Sequence, residues 1–508
     1  MQRIVQPTRN TWCEAAVERA GILVDGDDYY RAFYAAGQRA QRYLLLAGWQ
    51  FDTDACLLRG EEARSATLPV TLLKYLDALC ERNPELHIYV LAWDFHAVFA
   101  LEREWMQELR FKWLSSPRLQ FLFDDQHAPG GSHHQKFVVI DGQLAFLGGL
   151  DLCDHRWDDR HHKVPNPLRV SRGAPHRPFH DVQTYMLGAE AAGKLTELFS
   201  ARWHAAGGDP LALPSAVNSF EGFALTNSVP FAARRVALSR IDTKGAPDGK
   251  LDCREVFWLT VDAIGAARSS IYIETQYFSS KEIAEALIQR LREPSEAGLD
   301  VVLVLNKHAE TMKEELAVGL AQANVIKQLR AAAQASQHRL GIYYSIPETD
   351  ASEEPEYATY IHSKLLIVDD RFMTVGSANL TNRSTYLDTE LNLTVETQDA
   401  SDELGRSIAA ARRSLIAEHL GIDGMDDTQG LVRQLDEHAV SHAGRLRLHP
   451  SPTPEELAIL EVIDPAQLPF DPAAPEAQEH DRPLFIAGLS ALWERLRSAS
   501  GASAGSNG

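Results

Sequence analysis

Two stretches of the chain carry the same pattern, in which His is followed by Lys two residues later and by Asp five residues after that. The pattern consists of His134, Lys136 and Asp141 in the first stretch, and of His362, Lys364 and Asp369 in the second. Imidazole can act as a nucleophile or move a proton near neutral pH, and a Lys ammonium can neutralise an anionic oxygen. Two copies together would bring two imidazoles and two cationic groups into one pocket.

The four residues before each Asp are apolar, which predicts a buried strand that runs into a turn. These strands would cover 137–140 and 365–368. His and Lys lie two positions apart, so on a strand their side chains face the same side. The pattern therefore predicts that each strand delivers both groups to one surface.

A glycine-containing stretch follows seven residues after each Asp, as Gly148-Gly-Leu-Asp in the first half and Gly376-Ser-Ala-Asn in the second. Glycine permits a close approach of the backbone to a ligand, and small polar groups can donate to phosphate oxygens. The predicted substrate contacts in these two stretches are Gly149, Asp151, Ser377 and Asn379.

The surroundings of the two patterns also match, because each half alternates strands with helical stretches. The first half has a helical pattern over 30–40 and strands over 43–52, 87–94 and 118–123, and the second follows the same order over 256–267, 271–278, 300–307 and 339–345. Such alternation predicts α/β layering. We expect two fused copies of one α/β domain, each a mixed sheet flanked by helices, related by a pseudo-twofold axis.

The predicted boundaries follow composition. A Pro- and Gly-containing segment begins near Gly207, and the chain end is rich in Pro, Ala, Gly and Ser. The prediction comprises an N-terminal extension over 1–27, a first domain over 28–206, a linker over 207–249, a second domain over 250–425 and a partly disordered C-terminal extension over 426–508.

Taken together, the two patterns resemble the duplicated HKD motifs of the phospholipase D superfamily. Further stretches resemble the form found in eukaryotic-type phospholipases D and, in the core, cardiolipin-synthase-like bacterial enzymes. These stretches are 148–158, 178–183, 273–278 and 376–384. The resemblance covers roughly residues 28–420 and implies one active site that both halves build.

The resemblance implies a mechanism with a covalent phosphohistidine. His134 would attack phosphorus, His362 would protonate the leaving alcohol, and Lys136 and Lys364 would neutralise the nonbridging oxygens. The sequence itself treats the two halves alike and leaves the order of the histidines open. No metal and no cofactor is needed in this scheme.

Further site residues come from the same resemblance. In similar proteins each His is oriented by a carboxylate farther along its own half, which would be Asp181 for the first and Glu390 for the second. Asp141 and Asp369 are candidates for direct catalysis or for a structural role next to the motif. Gln276 is a further predicted substrate contact, and Glu274 and 156–158 are candidates for shaping the pocket. Most other histidines, including His96, His161, His162 and His308, are interpreted as ordinary core or surface residues.

Composition restricts the other function classes. Lys plus Arg is 50 and Asp plus Glu is 70, so the formal net charge is −20, which argues against nonspecific nucleic-acid binding. No window of about 20 apolar residues and no signal core is present. The five scattered cysteines predict reduced thiols rather than disulfides or a zinc site. We expect a cytoplasmic monomer in peripheral contact with a membrane.

The leading hypothesis is hydrolysis of a glycerophospholipid to phosphatidic acid and a headgroup alcohol, with headgroup exchange when an alcohol replaces water. One alternative is a cardiolipin-synthase-like phosphatidyl transferase, and another is an HKD nuclease. A binding module without activity is disfavoured, because His and Lys are intact in both motifs. The sequence leaves the headgroup and acyl preference open.

Overall fold

A computed structural model describes residues 3–94, 111, 115–128, 130–215, 219–242, 253–294, 298–309, 318–349, 355, 357–425, 430–442, 444–460 and 471. Two earlier expectations lie outside these residues. They concern His96 and most of the predicted C-terminal extension.

Strands and helices alternate along both halves. The strands are β1 Cys13–Ala16, β2 Arg19–Val24, β3 Tyr43–Gly48, β4 His87–Trp93, β5 Leu119–Asp124, β6 Phe137–Ile140, β7 Leu144–Gly148, β8 Val170–Ser171, β9 Ala174–Pro175, β10 Phe179–His180, β11 Val182–Leu187, β12 Val229–Phe231, β13 Arg235–Asp242, β14 Cys253–Arg254, β15 Ser270–Glu274, β16 Asp300–Val304, β17 Arg339–Ser345, β18 Tyr360–Ile361, β19 Leu365–Val368, β20 Phe372–Gly376, β21 Glu390–Glu396 and β22 Leu446–Leu448. The helices are α1 Asp25–Gly37, α2 Gly60–Ser65, α3 Leu72–Arg82, α4 Ala189–Ala205, α5 Glu255–Ala266, α6 Lys281–Arg292, α7 Leu320–Gln334, α8 Asn382–Tyr386, α9 Glu403–Leu420, α10 Leu431–Ser441 and α11 Pro454–Leu460.

The two large sheets repeat one strand order. The first runs β12-β2-β11-β7-β6-β3-β4-β5, and the second runs β1-β13-β21-β20-β19-β15-β16-β17-β22. Each sheet contains three adjacent parallel strands, which are β3-β4-β5 in the first sheet and β15-β16-β17 in the second. The antiparallel part of each sheet begins next to them, at β6 and at β19. The predicted α/β fold with mixed sheets and flanking helices is confirmed, whereas a pseudo-twofold superposition stays a prediction.

Strands also occupy all three ranges for which the sequence predicted an extension or a linker, and in the C-terminal range β22 pairs with β17 at the edge of the second sheet. β1, near the N-terminus, pairs with β13 in the second sheet, and β2 lies inside the first sheet. Within 207–249, β12 closes the edge of the first sheet and β13 pairs with β21. Composition reports the local Pro and Gly content near Gly207, but it carries no information on these long-range pairings.

The strands that end in the two motifs lie at the centre of the core. β6 and β19 are buried at every position, as their uninterrupted apolar sequences require. One hydrophobic cluster contains Val139 and Leu147 of the first sheet together with Ile367 and Leu393 of the second. The two sheets therefore pack against each other, and each also has an outer helical layer.

Two global expectations can be compared with the described residues. All five cysteines are free thiols, as expected. Among the described helices, none combines the length and the apolar character that crossing a bilayer requires.

Candidate active site

The two motifs enter their strands beside the backbone of the opposite half. The His134 amide donates to the Thr389 carbonyl at 3.0 Å, and the His362 amide donates to the His180 carbonyl at 2.7 Å. Short parallel pairings extend both contacts, between His133 and Thr389 and between β10 and β18. These hydrogen bonds hold both histidines at the boundary between the halves.

Each motif histidine is oriented by a carboxylate from the other half. His134 Nδ1 lies 3.0 Å from Glu390 Oε2, and His362 Nδ1 lies 2.5 Å from Asp181 Oδ2. The expectation that each carboxylate serves its own half is therefore wrong, although the two carboxylates themselves were identified. Asp181 directly precedes β11 and Glu390 begins β21, and these strand starts meet the motif of the opposite half. Such a carboxylate fixes the imidazole tautomer and leaves Nε2 for chemistry.

The two lysines are buried beside polar groups that the sequence also singled out. Lys136 Nζ lies 3.3 Å from Asp151 Oδ2, and Lys364 Nζ donates to Gln276 Oε1 at 3.0 Å. Asn379 Nδ2 donates to the same Gln276 oxygen at 3.3 Å. The structure thus brings these predicted substrate contacts together with the lysines, and their contact with substrate stays a prediction.

The repeated glycine-containing stretches make room for the orienting carboxylates. A Cβ added at Gly149 would lie 2.3 Å from Asp181 Oδ1, well inside a normal contact. At the corresponding position in the second half, the Ser377 hydroxyl donates to Glu390 Oε2 at 2.5 Å. The position after the repeated glycine therefore contacts the orienting carboxylate in both halves, a role that was not predicted from the sequence.

The electrostatic environment keeps both imidazoles uncharged. Burial lowers the pKa of His134 well below its usual range, and Lys136 and Lys364 lower it further. Burial also lowers the pKa of His362, with additional effects of Lys364 and Arg156. A neutral imidazole is the form that can attack phosphorus.

Burial also shifts the pKa values of the two orienting carboxylates and of Lys364 in the direction that favours their neutral forms. Burial raises the pKa of Asp181 to about 7. Burial, assisted by the charge of Asp388, raises the pKa of Glu390 to about 8. Burial lowers the pKa of Lys364 to about 7. A bound anion would offset these costs for the cationic groups, because its charge favours protonated Lys and His.

Asp141 and Asp369 lie at the far ends of β6 and β19 and do not reach the histidines. The Asp141 carboxylate accepts from the backbone N–H groups of 41–43, and Asp369 accepts from those of 268–270. Each Asp follows its Lys by five positions along the strand, a span of roughly 16 Å. Their assignment to catalysis is corrected accordingly, and their role is to join β6 to β3 and β19 to β15.

The remaining candidates divide into two groups. Arg156 stacks on Phe179, with its guanidinium carbon 5.1 Å from the ring centroid, and so lies near the His362 side of the site. Asp158 instead binds Arg169 and His162, and Glu274 binds His180, in a buried network behind the site. The place of His180 in this buried network was not predicted from the sequence. Its position immediately before Asp181 was the available signal.

Comparisons with known proteins agree with this geometry. A family model described as a cardiolipin synthase, phospholipase D-like domain matches residues 260–411. Phospholipase D A of Dictyostelium discoideum is 25% identical over 79% of this chain and 35% of its own length. Phospholipase D alpha 1 of Carica papaya is 24% identical over 80% of this chain and 66% of its own length. The chain thus spans about one third to two thirds of these curated relatives.

A solved structure supports the fold. The phosphatidylserine synthase of Haemophilus influenzae Rd KW20 superposes with a TM-score of 0.51 at 15% identity, over 80% of this chain and 88% of the other. At this identity the similarity concerns the fold alone. The paired motifs, the family-model match and these curated relatives support membership of the phospholipase D superfamily.

Proposed function

We propose that the protein is a phospholipase D that hydrolyses a glycerophospholipid to phosphatidic acid and a headgroup alcohol. The observation that carries this proposal is the pair of motif imidazoles, each held by a carboxylate of the opposite half, with a buried lysine of the same motif two residues further along. The curated relatives named phospholipase D support the choice of substrate class.

In the first step, His134 Nε2 forms a bond to phosphorus while the bond from phosphorus to the headgroup oxygen breaks. Protonated His362 gives its proton to that oxygen, so the headgroup leaves as a neutral alcohol. The two lysines stabilise charge on the nonbridging oxygens as the transition state forms. The negative charge of the substrate favours the protonated states of His362 and Lys364, which burial opposes in its absence.

In the second step, His362 accepts a proton from water, and the water oxygen attacks phosphorus. The bond to His134 breaks, phosphatidic acid is released, and both histidines return to their starting states. A primary alcohol in place of water would give a phosphatidyl alcohol by the same steps. We further propose that the protein acts as a monomer in peripheral contact with a lipid surface, since the substrate is a membrane component.

The second candidate is a phosphatidyl transferase that uses a lipid alcohol as acceptor. The description of the matching family model as a cardiolipin synthase domain favours it. Both candidates share the first step and differ only in what attacks the phosphohistidine. The acceptor therefore separates them.

The test is incubation with mixed micelles of phosphatidylcholine, phosphatidylethanolamine, phosphatidylserine and phosphatidylglycerol, with and without 1-butanol, and product analysis by mass. We expect phosphatidic acid in water and phosphatidylbutanol with the alcohol. His134→Ala should abolish both products, whereas His161→Ala, at a side chain that is 82% exposed, should not. Cardiolipin formed without phosphatidic acid would favour the transferase. Cleavage of single-stranded DNA without any lipid product would refute both.

A further inference from the structure

His180, the residue before Asp181, lies fully buried between carboxylates of both halves. Its Nε2 lies 2.9 Å from Glu274 Oε2, and its Nδ1 lies 2.7 Å from Glu418 Oε1 and 3.1 Å from Asp25 Oδ1. Both ring nitrogens thus face carboxylate oxygens, which accept but do not donate when ionised. An imidazole in this position satisfies both sides only when both nitrogens carry protons.

The carboxylates around His180 have further partners that keep them in place. Glu274 accepts from the Tyr272 hydroxyl at 2.5 Å and from the Ser363 hydroxyl at 2.6 Å, and its other neighbour is His419 at 3.1 Å. Glu418 in turn contacts Arg160 and Arg445, and both Glu418 and Asp25 contact His162. His162 also binds Asp158, which pairs with Arg169. Glu418, Glu274 and Asp25 raise the pKa of His180 well above its usual range, although burial opposes them.

This network is bonded directly to the His362–Asp181 pair. The His180 carbonyl accepts from the His362 amide at 2.7 Å, and Ser363, next in the chain, binds Glu274. On the other side, the Asp181 amide donates to Asp25 Oδ1 at 3.1 Å. His362 is therefore followed directly by a residue that binds the cluster, and Asp181 follows His180 directly and binds the cluster through its own amide.

The other histidine is flanked by a different set of groups, in which the neighbouring His133 faces Asp124 at 3.0 Å and Asp124 pairs with Arg202. Thr389 holds the position before Glu390 that His180 holds before Asp181, and its carbonyl accepts from His134 in the same way. Its side chain makes a neutral contact with His133 Nδ1 at 3.1 Å. The two halves thus differ at the residue before the orienting carboxylate, which is an imidazole between carboxylates on the His362 side and a threonine on the His134 side.

We propose that His180, as a buried imidazolium, is a positioning residue that fixes Asp181 and through it the general acid His362. This proposal rests on the proposed function, because it assigns His362 the proton transfer. The positive charge also favours ionised Asp181, whose pKa burial raises to about 7. Loss of the charge would leave more of Asp181 protonated, and a neutral carboxyl group is a weaker acceptor for the His362 N–H.

The kinetic test is His180→Gln, which removes the charge but keeps N–H donors. Two short-chain phosphatidyl esters are compared, one with choline and one with p-nitrophenol as leaving group. Because proton donation is typically worth about 10²–10⁴-fold, we expect kcat on the choline ester to fall about 100-fold or more. The nitrophenol burst should fall far less, since that group departs without a proton. The acid limb of the choline-ester pH profile should move to higher pH.

Leu287→Ala in α6 serves as the matched destabilised control, since Leu287 is a fully buried apolar residue of the outer helical layer. It should lower the melting temperature without changing the ratio of rates on the two esters. An equal loss on both esters in His180→Gln would overturn the proposal and leave a merely structural role. Wild-type protein inactive on both esters would instead count against the proposed function.

A second measurement does not depend on activity. In protein with ¹⁵N-labelled histidine, the signals that disappear in His180→Gln identify the His180 ring. We expect both of its nitrogens to be protonated from pH 6 to pH 8. An unprotonated nitrogen at pH 7 would contradict the proposal. So would one equivalent of tightly bound zinc in the purified protein, because a metal would take the place of the protons between these side chains.

Discussion

At the scale of single residues, the site is governed by how two carboxylates reach two imidazoles. Asp181 approaches His362 to 2.5 Å, and the space it occupies exists only because residue 149 lacks a side chain. Glu390 is held by Ser377 instead, so the two pairs are supported differently. The residue after the repeated glycine thus supports the carboxylate in each half, through a missing side chain at Gly149 and through a hydroxyl at Ser377.

We predict that Gly149→Ala impairs catalysis by displacing Asp181. The added Cβ would lie 2.3 Å from a carboxylate oxygen, so one of the two must move. Because His362 would lose its orientation, kcat on phosphatidylcholine should fall about 100-fold or more. Gly193→Ala in α4 is the matched control, since its Cβ would meet no atom within 4 Å. If Gly149→Ala turned over phosphatidylcholine at the wild-type rate, the close approach of residue 149 to Asp181 would have no catalytic consequence.

At the scale of elements, β6 and β19 carry His and Lys at one end and Asp at the other. The far Asp residues accept backbone hydrogen bonds at the start of β3 and β15, which fixes the neighbouring strands in register. The motif is therefore a structural unit whose catalytic and structural parts are separated by the length of a strand.

We predict that Asp369→Asn destabilises the protein but leaves the chemistry intact. The amide nitrogen of Asn cannot accept from the backbone N–H groups, and Asn tolerates the positive φ of 52° at this position. Leaving buried donors unpaired costs roughly 1–3 kcal/mol, so the free energy of unfolding should fall by that amount. Asp423→Asn at an exposed position is the control. If kcat per folded molecule dropped together with stability, Asp369 would have a role in the reaction after all.

The strands that deliver the motifs could be predicted from sequence, because four apolar residues next to His-x-Lys form a strongly local signal. The α/β layering with a mixed sheet followed from the β-α-β alternation. The partners of β1 and β13 could not be predicted, since a pairing between residues near 13 and near 238 leaves no local pattern. For the same reason the family resemblance located Asp181 and Glu390 correctly but assigned each of them to the histidine of its own half instead of the opposite half.

At the scale of the whole molecule, the two halves form one catalytic unit. Backbone hydrogen bonds join each motif to the opposite half, and one hydrophobic cluster contains both sheets. The buried network around His180 adds ionic contacts from Asp25 to Glu418, residues far apart in the chain. Separate halves would each contain a His and a Lys but no orienting carboxylate for that His.

The most direct test of this account is to trap the covalent intermediate. The substrate is a short-chain phosphatidyl ester of p-nitrophenol, mixed rapidly with His362→Asn, quenched, and examined by intact-mass and peptide mass spectrometry. The leaving group departs without an acid, and the variant lacks the base that would activate water. We therefore predict one phosphatidyl group per chain, attached to His134, after a single burst of nitrophenol. Release of nitrophenol without any protein adduct, or an adduct on His362 in the His134→Ala protein, would contradict the account.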